Sequence, residues 1–97
     1  MRLIISLHPD LDEELFTAAD WYDLQVHGLG NELVVEFETV VQKVVKNPYA
    51  FAINLRNFRH VKLNRFPYIL IYEIDGFHLI FQMLIHTSRH PLKRIRR

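Results

Sequence analysis

The clearest alternation of apolar and polar positions lies between Arg59 and Pro91 (RHVKLNRFPYILIYEIDGFHLIFQMLIHTSRHP). Two apolar runs there flank Asp75-Gly76. Such a pair predicts a tight hairpin, because both central residues of the favoured two-residue turn need positive φ. With Asp75 and Gly76 at the centre, Ile74 faces Phe77, and Tyr72–Leu79, Leu70–Phe81, Tyr68–Met83 and Phe66–Ile85 follow on one wholly apolar side. The opposite side pairs Glu73 with His78, Ile71 with Ile80, Ile69 with Gln82, Pro67 with Leu84 and Arg65 with His86. The pattern therefore predicts a core under the first face and a partly open, basic surface at the far end of the second. A slip of one residue would exchange the faces, so both expectations stand on the turn.

Upstream the period changes. Arg2 to Leu7 is short and rich in branched aliphatic residues and reads as a strand ended by His8-Pro9. Asp10 then stands as an N-cap with Glu13 completing a capping box, and Asp12, Glu13 and Glu14 suit the positive end of a helix dipole. Leu11, Leu15, Ala18 and Tyr22 recur at helical spacing, with Phe16 and Ala19 widening the stripe, until Gly28 stops the helix. The connection Gly28 to Asn31 leads to a second helix, in which Leu33, Val34, Phe37, Val40, Val41, Val44 and Val45 keep a 3.6-residue period up to Pro48. So short a connection makes an antiparallel helical hairpin, with Asp20, Asp23, Glu32, Glu36 and Glu38 on its outer surface.

Tyr49 to Phe58 has no period and reads as a loop whose apolar residues cover the edge of the core. Arg59 to Asn64 alternates again, with Val61 and Leu63 inward and His60 and Lys62 outward, and Phe66-Pro67 marks a bend. The order strand, helix, helix and three strands predicts an α+β fold, an antiparallel sheet of about four strands packed against an α-helical hairpin (β-α-α-β-β-β). The place of the first strand in the sheet does not follow from the sequence.

At 97 residues the chain suits one domain, residues 1–97. It has no cysteine, which excludes disulfides and thiolate metal sites and fits a cytoplasmic location, and its N-terminal apolar run is too short for a signal peptide or membrane span. The net charge of +1 hides a division. Residues 1–55 carry three Lys or Arg against nine Asp or Glu, a net of −6, and residues 56–97 carry nine against two, a net of +7. A basic half of this kind predicts contact with a polyanion or an acidic partner. Lys93, Arg94, Arg96 and Arg97 make residues 92–97 a basic tail. Trp21 and Tyr22 read as core or hairpin-packing residues rather than a base-stacking platform. His86 and His90 lack a third ligand at metal-binding spacing, so no metal and no cofactor is expected.

Five short motifs occur in order on these elements: Trp21-Tyr22 late in the first helix, Gly28-Leu29-Gly30 in the connection, Asn47-Pro48 after the second helix, Arg65 to Tyr68 (RFPY), and His86, Arg89 and Pro91 after the last strand. Together they resemble the RelE/ParE superfamily of bacterial toxins, which includes ParE-like plasmid stabilisation proteins. The resemblance implies the toxin of a type II toxin–antitoxin module, neutralised by a cognate antitoxin and reaching operator DNA only through it.

Two activities occur in that superfamily: ParE-like members bind and poison DNA gyrase, and RelE-like members cut messenger RNA on the ribosome without a metal. Cutting RNA that way needs a base, an acid and cations to hold the phosphate. Arg65 and Arg89, with Lys62, are candidates for phosphate and His86 or His90 for proton transfer, the imidazole being the side chain that titrates near neutral pH. Arg59, Lys62, His90 and the tail cations Lys93, Arg94, Arg96 and Arg97 are candidates for target or phosphate binding. The dense lysine cluster of the RNA-cutting relatives is thinned here to Lys62 between Arg59 and Arg65, and Arg94 stands where relatives often have tryptophan. The expectation is therefore a ParE-like toxin acting on a target such as gyrase. A RelE-like ribosome-dependent endoribonuclease is the alternative, and an inactive remnant or corepressor subunit a third reading. An exposed strand edge would also permit a homodimer.

Overall fold

The computed structural model describes residues 2–53 and 57–89. A first strand, β1 (Ile4–Leu7), leads into helices α1 (Leu11–Gln25) and α2 (Leu29–Lys46). Strands β2 (Arg59–Lys62), β3 (Tyr68–Asp75) and β4 (His78–His86) follow, and a single 3-10 turn spans Thr87–Arg89. The sheet order is β1-β4-β3-β2. β2, β3 and β4 are antiparallel neighbours, as the alternation predicts, whereas β1 lies parallel to β4 on the edge. The fold is thus α+β with a mostly antiparallel sheet.

The helical hairpin packs through small residues and aliphatics. Leu11, Leu15, Ala18 and Ala19 of α1 and Leu33, Phe37, Val40 and Val44 of α2 are buried with Leu70, Tyr72, Leu79 and Phe81 of the sheet. The connection is tighter than the sequence implies. α1 ends at Gln25, Gly28 takes φ 87° as the N-cap of α2, and Leu29 to Asn31 already belong to the helix. Gly30 is the reason the axes come so close: a Cβ there would run into the Ala19 carbonyl, and its N–H donates to Asp23 Oδ1 at 2.8 Å. Asp23 is therefore a bridge between helices rather than a merely solvated surface charge.

At the start of α1 the expected capping box is absent. Asp10 has αR backbone and makes no side-chain cap, and its N–H donates instead to His8 Nδ1 at 3.1 Å. Glu14 reaches across to the sheet, its carboxylate accepting the Leu84 N–H at 3.1 Å.

The hairpin register differs from the expectation in two steps. The two-residue turn is Gly76-Phe77, closed by Asp75 opposite His78. Gly76 has φ 59° while Asp75 stays in the strand, the pattern of a type II′ turn, which puts glycine first. This moves Leu79 opposite Ile74 and Phe81 opposite Tyr72, a shift of two that leaves the predicted faces intact. A bulge then makes Gln82 an extra residue, so that Met83 meets Ile71, Leu84 meets Leu70 and His86 meets Tyr68. From there on β4 changes face. Leu84 joins the core under the helices, while Met83 and Ile85 pass to the other side. That outer side is not an open basic surface at this end: Phe58 folds over Ile71 and Met83 to make a second apolar cluster. Of the described residues in the Tyr49–Phe58 segment, Phe58 covers this far face while Phe51 packs against the main core.

Candidate functional site

The predicted cations are placed by their immediate partners. Arg59 turns back on its own loop, its guanidinium donating to the Phe51 carbonyl at 2.7 Å and the Tyr49 carbonyl at 3.2 Å and lying 5.3 Å from the centre of the Tyr49 ring. Lys62 ends β2 and is exposed. Arg65 sits in the bend before β3, where its guanidinium pairs with Glu32 of α2. The backbone is fixed there too, since the Glu36 carboxylate accepts the amides of both Asn64 and Arg65. Glu32 and Glu36 are therefore part of the Arg65 site. Arg89 lies in the 3-10 turn, and its side chain is outside the described part of the structure. His90, Lys93, Arg94, Arg96 and Arg97 are outside the described residues.

His86 does not face Arg65. The bulge at Gln82 turns it toward the helices, with its ring 5.2 Å from Tyr68 in an edge-on contact. Its Nδ1 accepts the Ser88 N–H at 3.1 Å and lies 2.8 Å from Ser88 Oγ. The neutral ring therefore carries its proton on Nε2 and presents a donor. Rings fill the space toward Arg65: Tyr22 contacts Phe66 at 5.0 Å and Tyr68 at 6.4 Å, and the Arg65 guanidinium lies 5.6 Å from the Phe66 ring. Burial raises the Tyr22 phenol above its ordinary pKa, so it stays protonated.

His86 belongs to a groove of about 980 Å³ between α1 and the end of β4. Tyr68, Tyr22 and Trp21 line it, and Asp10, Glu13 and Glu14 supply carboxylates. Trp21 is 56% exposed and meets Tyr22 edge-on at 5.0 Å, so it is a groove residue and not a core residue. The sequence offered no signal for this groove, because Asp10 and Glu13 look like helix caps and nothing local shows that β4 ends beside them.

The second exposed feature is the β1 edge. Ile4 N–H donates to Phe77 O and His8 N–H to Phe81 O, so in this parallel pairing the amides of Ile5 and Leu7 point away from the sheet. Among the described residues no strand pairs with that side. Ile4 (57% exposed), Leu7 (47%) and Phe77 (56%) add apolar surface beside it.

Among the described residues no group of three metal-ligating side chains converges, and no helix is long and apolar enough to cross a membrane. No protein-family model matches the sequence, and no curated protein matches it. Among solved structures, the chain is similar to one from the chromosomal ParDE TA system from P. aeruginosa. The two share a TM-score of 0.77 at 12% sequence identity, over 87% of this chain and 95% of the other. At that identity the likeness is one of fold.

Proposed function

We propose that the protein is the toxin of a two-component toxin–antitoxin module and acts by binding a cellular target, DNA gyrase being the first candidate. The observation that carries this reading is the shared fold, matched over nearly the full length of a chain from a ParDE toxin–antitoxin system. Fold alone does not specify activity, so the choice between binding and RNA cleavage rests on the site. Arg65, in the bend before β3, is ion-paired to Glu32 of α2, whereas His86 lies opposite Tyr68 in the groove beside α1. A base, an acid and a phosphate clamp working on one ribose must converge within hydrogen-bonding reach of it, and these two residues are directed to different helices.

An antitoxin is the expected neutralising partner. The β1 edge, unpaired among the described residues and with Ile5 and Leu7 amides turned outward, suits addition of a partner strand. Co-expression with the product of an adjacent small reading frame should yield a stable complex and abolish toxicity.

The deciding experiment treats purified protein in two assays. Supercoiled plasmid incubated with gyrase and ATP should accumulate protein-trapped breaks, while primer extension on a message translated in a cell-free system should show no new ends. Ribosome-dependent cuts without gyrase-linked breaks would replace this reading with the endoribonuclease, and neither effect alongside normal growth would leave only the fold.

A further inference from the structure

The outer edge of β1, unpaired among the described residues, lacks the devices that usually blunt a sheet edge. From Leu3 to Leu7 there is no charged residue and no proline, and the pairing of β1 with β4 runs without a bulge. Its outward groups are the N–H and C=O of Ile5 and Leu7, because Ile4 and His8 donate inward to β4. The side chains match them. Ile5 and Leu7 share the face of Leu79 and Phe81 yet remain 44% and 47% exposed, and Ser6 lies exposed on the opposite face. A strand that fits this edge is short, uncharged and apolar on the helix side, and β1 itself meets that description.

We propose that β1 pairs antiparallel with β1 of a second copy of the chain, about a two-fold axis at Ser6, joining the two four-stranded sheets into one. The register follows from the outward groups. With Ser6 opposite Ser6 of the second copy, Ile5 stands opposite Leu7 and exchanges both backbone hydrogen bonds with it, and the symmetric pair does the same. Every outward group of the strand is then satisfied. An axis at Leu7 would set Ile5 against Pro9, which has no N–H, and an axis at Ile5 would set Leu7 against Leu3, which lies outside the strand. Charge agrees with the direction: antiparallel pairing brings Arg2 of one copy toward the end where Asp10 of the other lies, whereas parallel pairing would bring like charges together at both ends. On the helix side the same register makes two cross-strand pairs of Ile5 with Leu7. A strand of four residues gives a small interface, so the dimer is a weak one. This pairing does not depend on the toxin reading, since only β1 and its copy are involved. An antitoxin strand added to the same edge would take the place of the second copy.

Sedimentation velocity of the full chain between about 1 μM and about 1 mM should show a monomer passing to a dimer. Ser6→Lys and Ser6→Glu alter an exposed side chain and each set like charges at the axis. Each should raise the dissociation constant roughly fivefold or more, and an equimolar mixture of the two should restore it. Thiols read the register, because the chain has no cysteine of its own. Two Ser6 Cα atoms at the axis lie about 4.5 Å apart, within disulfide range, whereas two Ile4 Cα atoms lie about 14 Å apart. Under mild oxidation Ser6→Cys should therefore give a covalent dimer and Ile4→Cys should not. A monomer at every concentration overturns the proposal and leaves the edge to a partner of another kind. A dimer indifferent to both Ser6 charges overturns it too, by placing the contact on another surface. Equal crosslinking of Ser6→Cys and Ile4→Cys would overturn it as well, because the strands would then not be held about Ser6.

Discussion

The amide of Gly30 donates to Asp23 Oδ1 across the helical hairpin at 2.8 Å, at the point where the α2 backbone lies against the Ala19 carbonyl. One hydrogen bond and one missing side chain thus set how closely α1 and α2 approach. Gly28, two residues earlier, acts through its backbone instead, taking φ 87° in open space.

These two glycines should respond differently to alanine. Gly30→Ala forces a Cβ into backbone that cannot yield without parting the helices, and about 3 kcal/mol of stability should be lost, roughly 12 °C or more in Tm. Gly28→Ala meets no atom within 4 Å and should lose only about 1 kcal/mol, the strain of a left-handed alanine. Thermal unfolding followed by circular dichroism would separate them, and equal effects would refute the account of Gly30.

Tyr72 makes stability fall at alkaline pH. Its side chain is fully buried, its hydroxyl donates to the Pro48 carbonyl at 2.7 Å, and burial pushes its pKa up to about 12, with nearby Arg59 opposing. The folded state prefers the protonated phenol more than the unfolded state does. Its contribution is therefore complete below pH 10 and is lost as pH rises from about 10 to about 12, to an extent on the order of 2 kcal/mol. Tyr72→Phe should unfold with a flatter profile across that window, while losing about 1 kcal/mol at neutral pH with its hydrogen bond. Urea titrations at several pH values would show whether the two profiles differ.

Glu32 and Glu36, one turn apart on α2, should not be equivalent. The Glu36 carboxylate holds the amides of Asn64 and Arg65, so Glu36→Ala should speed hydrogen exchange at both and lower stability by about 1 kcal/mol. Glu32 pairs with Arg65 at the surface, and Glu32→Gln should change stability by less than about 0.5 kcal/mol. Unaltered exchange at Asn64 in Glu36→Ala would show that the bend before β3 is held by something else.

Under the binding reading, His86→Gln should arrest growth as the parent does. Glutamine can still accept the Ser88 amide, so the turn after β4 is kept while proton transfer is removed. Colony formation under inducible expression measures this. Loss of arrest with an unchanged melting curve would instead assign His86 a chemical step.

Much of the architecture was legible because local patterns carry it. The 3.6-residue spacing of Leu33, Phe37, Val40 and Val44 marks a buried helix face, and the alternation of Leu70, Tyr72 and Ile74 marks the core side of β3 wherever the turn falls. Gly28 announced a left-handed residue between the helices, and Gly76 announced the hairpin. These are statements about single residues and short periods, which sequence records directly. The order of strands and helices read from them is the observed one, and the chain shares its fold with the ParDE structure.

What lay beyond the sequence was decided by contacts between distant segments. The type II′ choice at Gly76-Phe77 and the bulge at Gln82 are settled by how β4 fits between β1 and β3 under the helices, and together they carry His86 to the helix side and Met83 to the other. Glu36 holds a loop 28 residues away and Glu14 a strand 70 residues away, although locally Glu36 reads as an outer-surface charge and Glu14 as a charge suited to the start of α1. The parallel place of β1 and the acidic groove beside Trp21 have the same origin. A side chain's face is set by local periodicity, but its partner is set by which segments the packed core brings together.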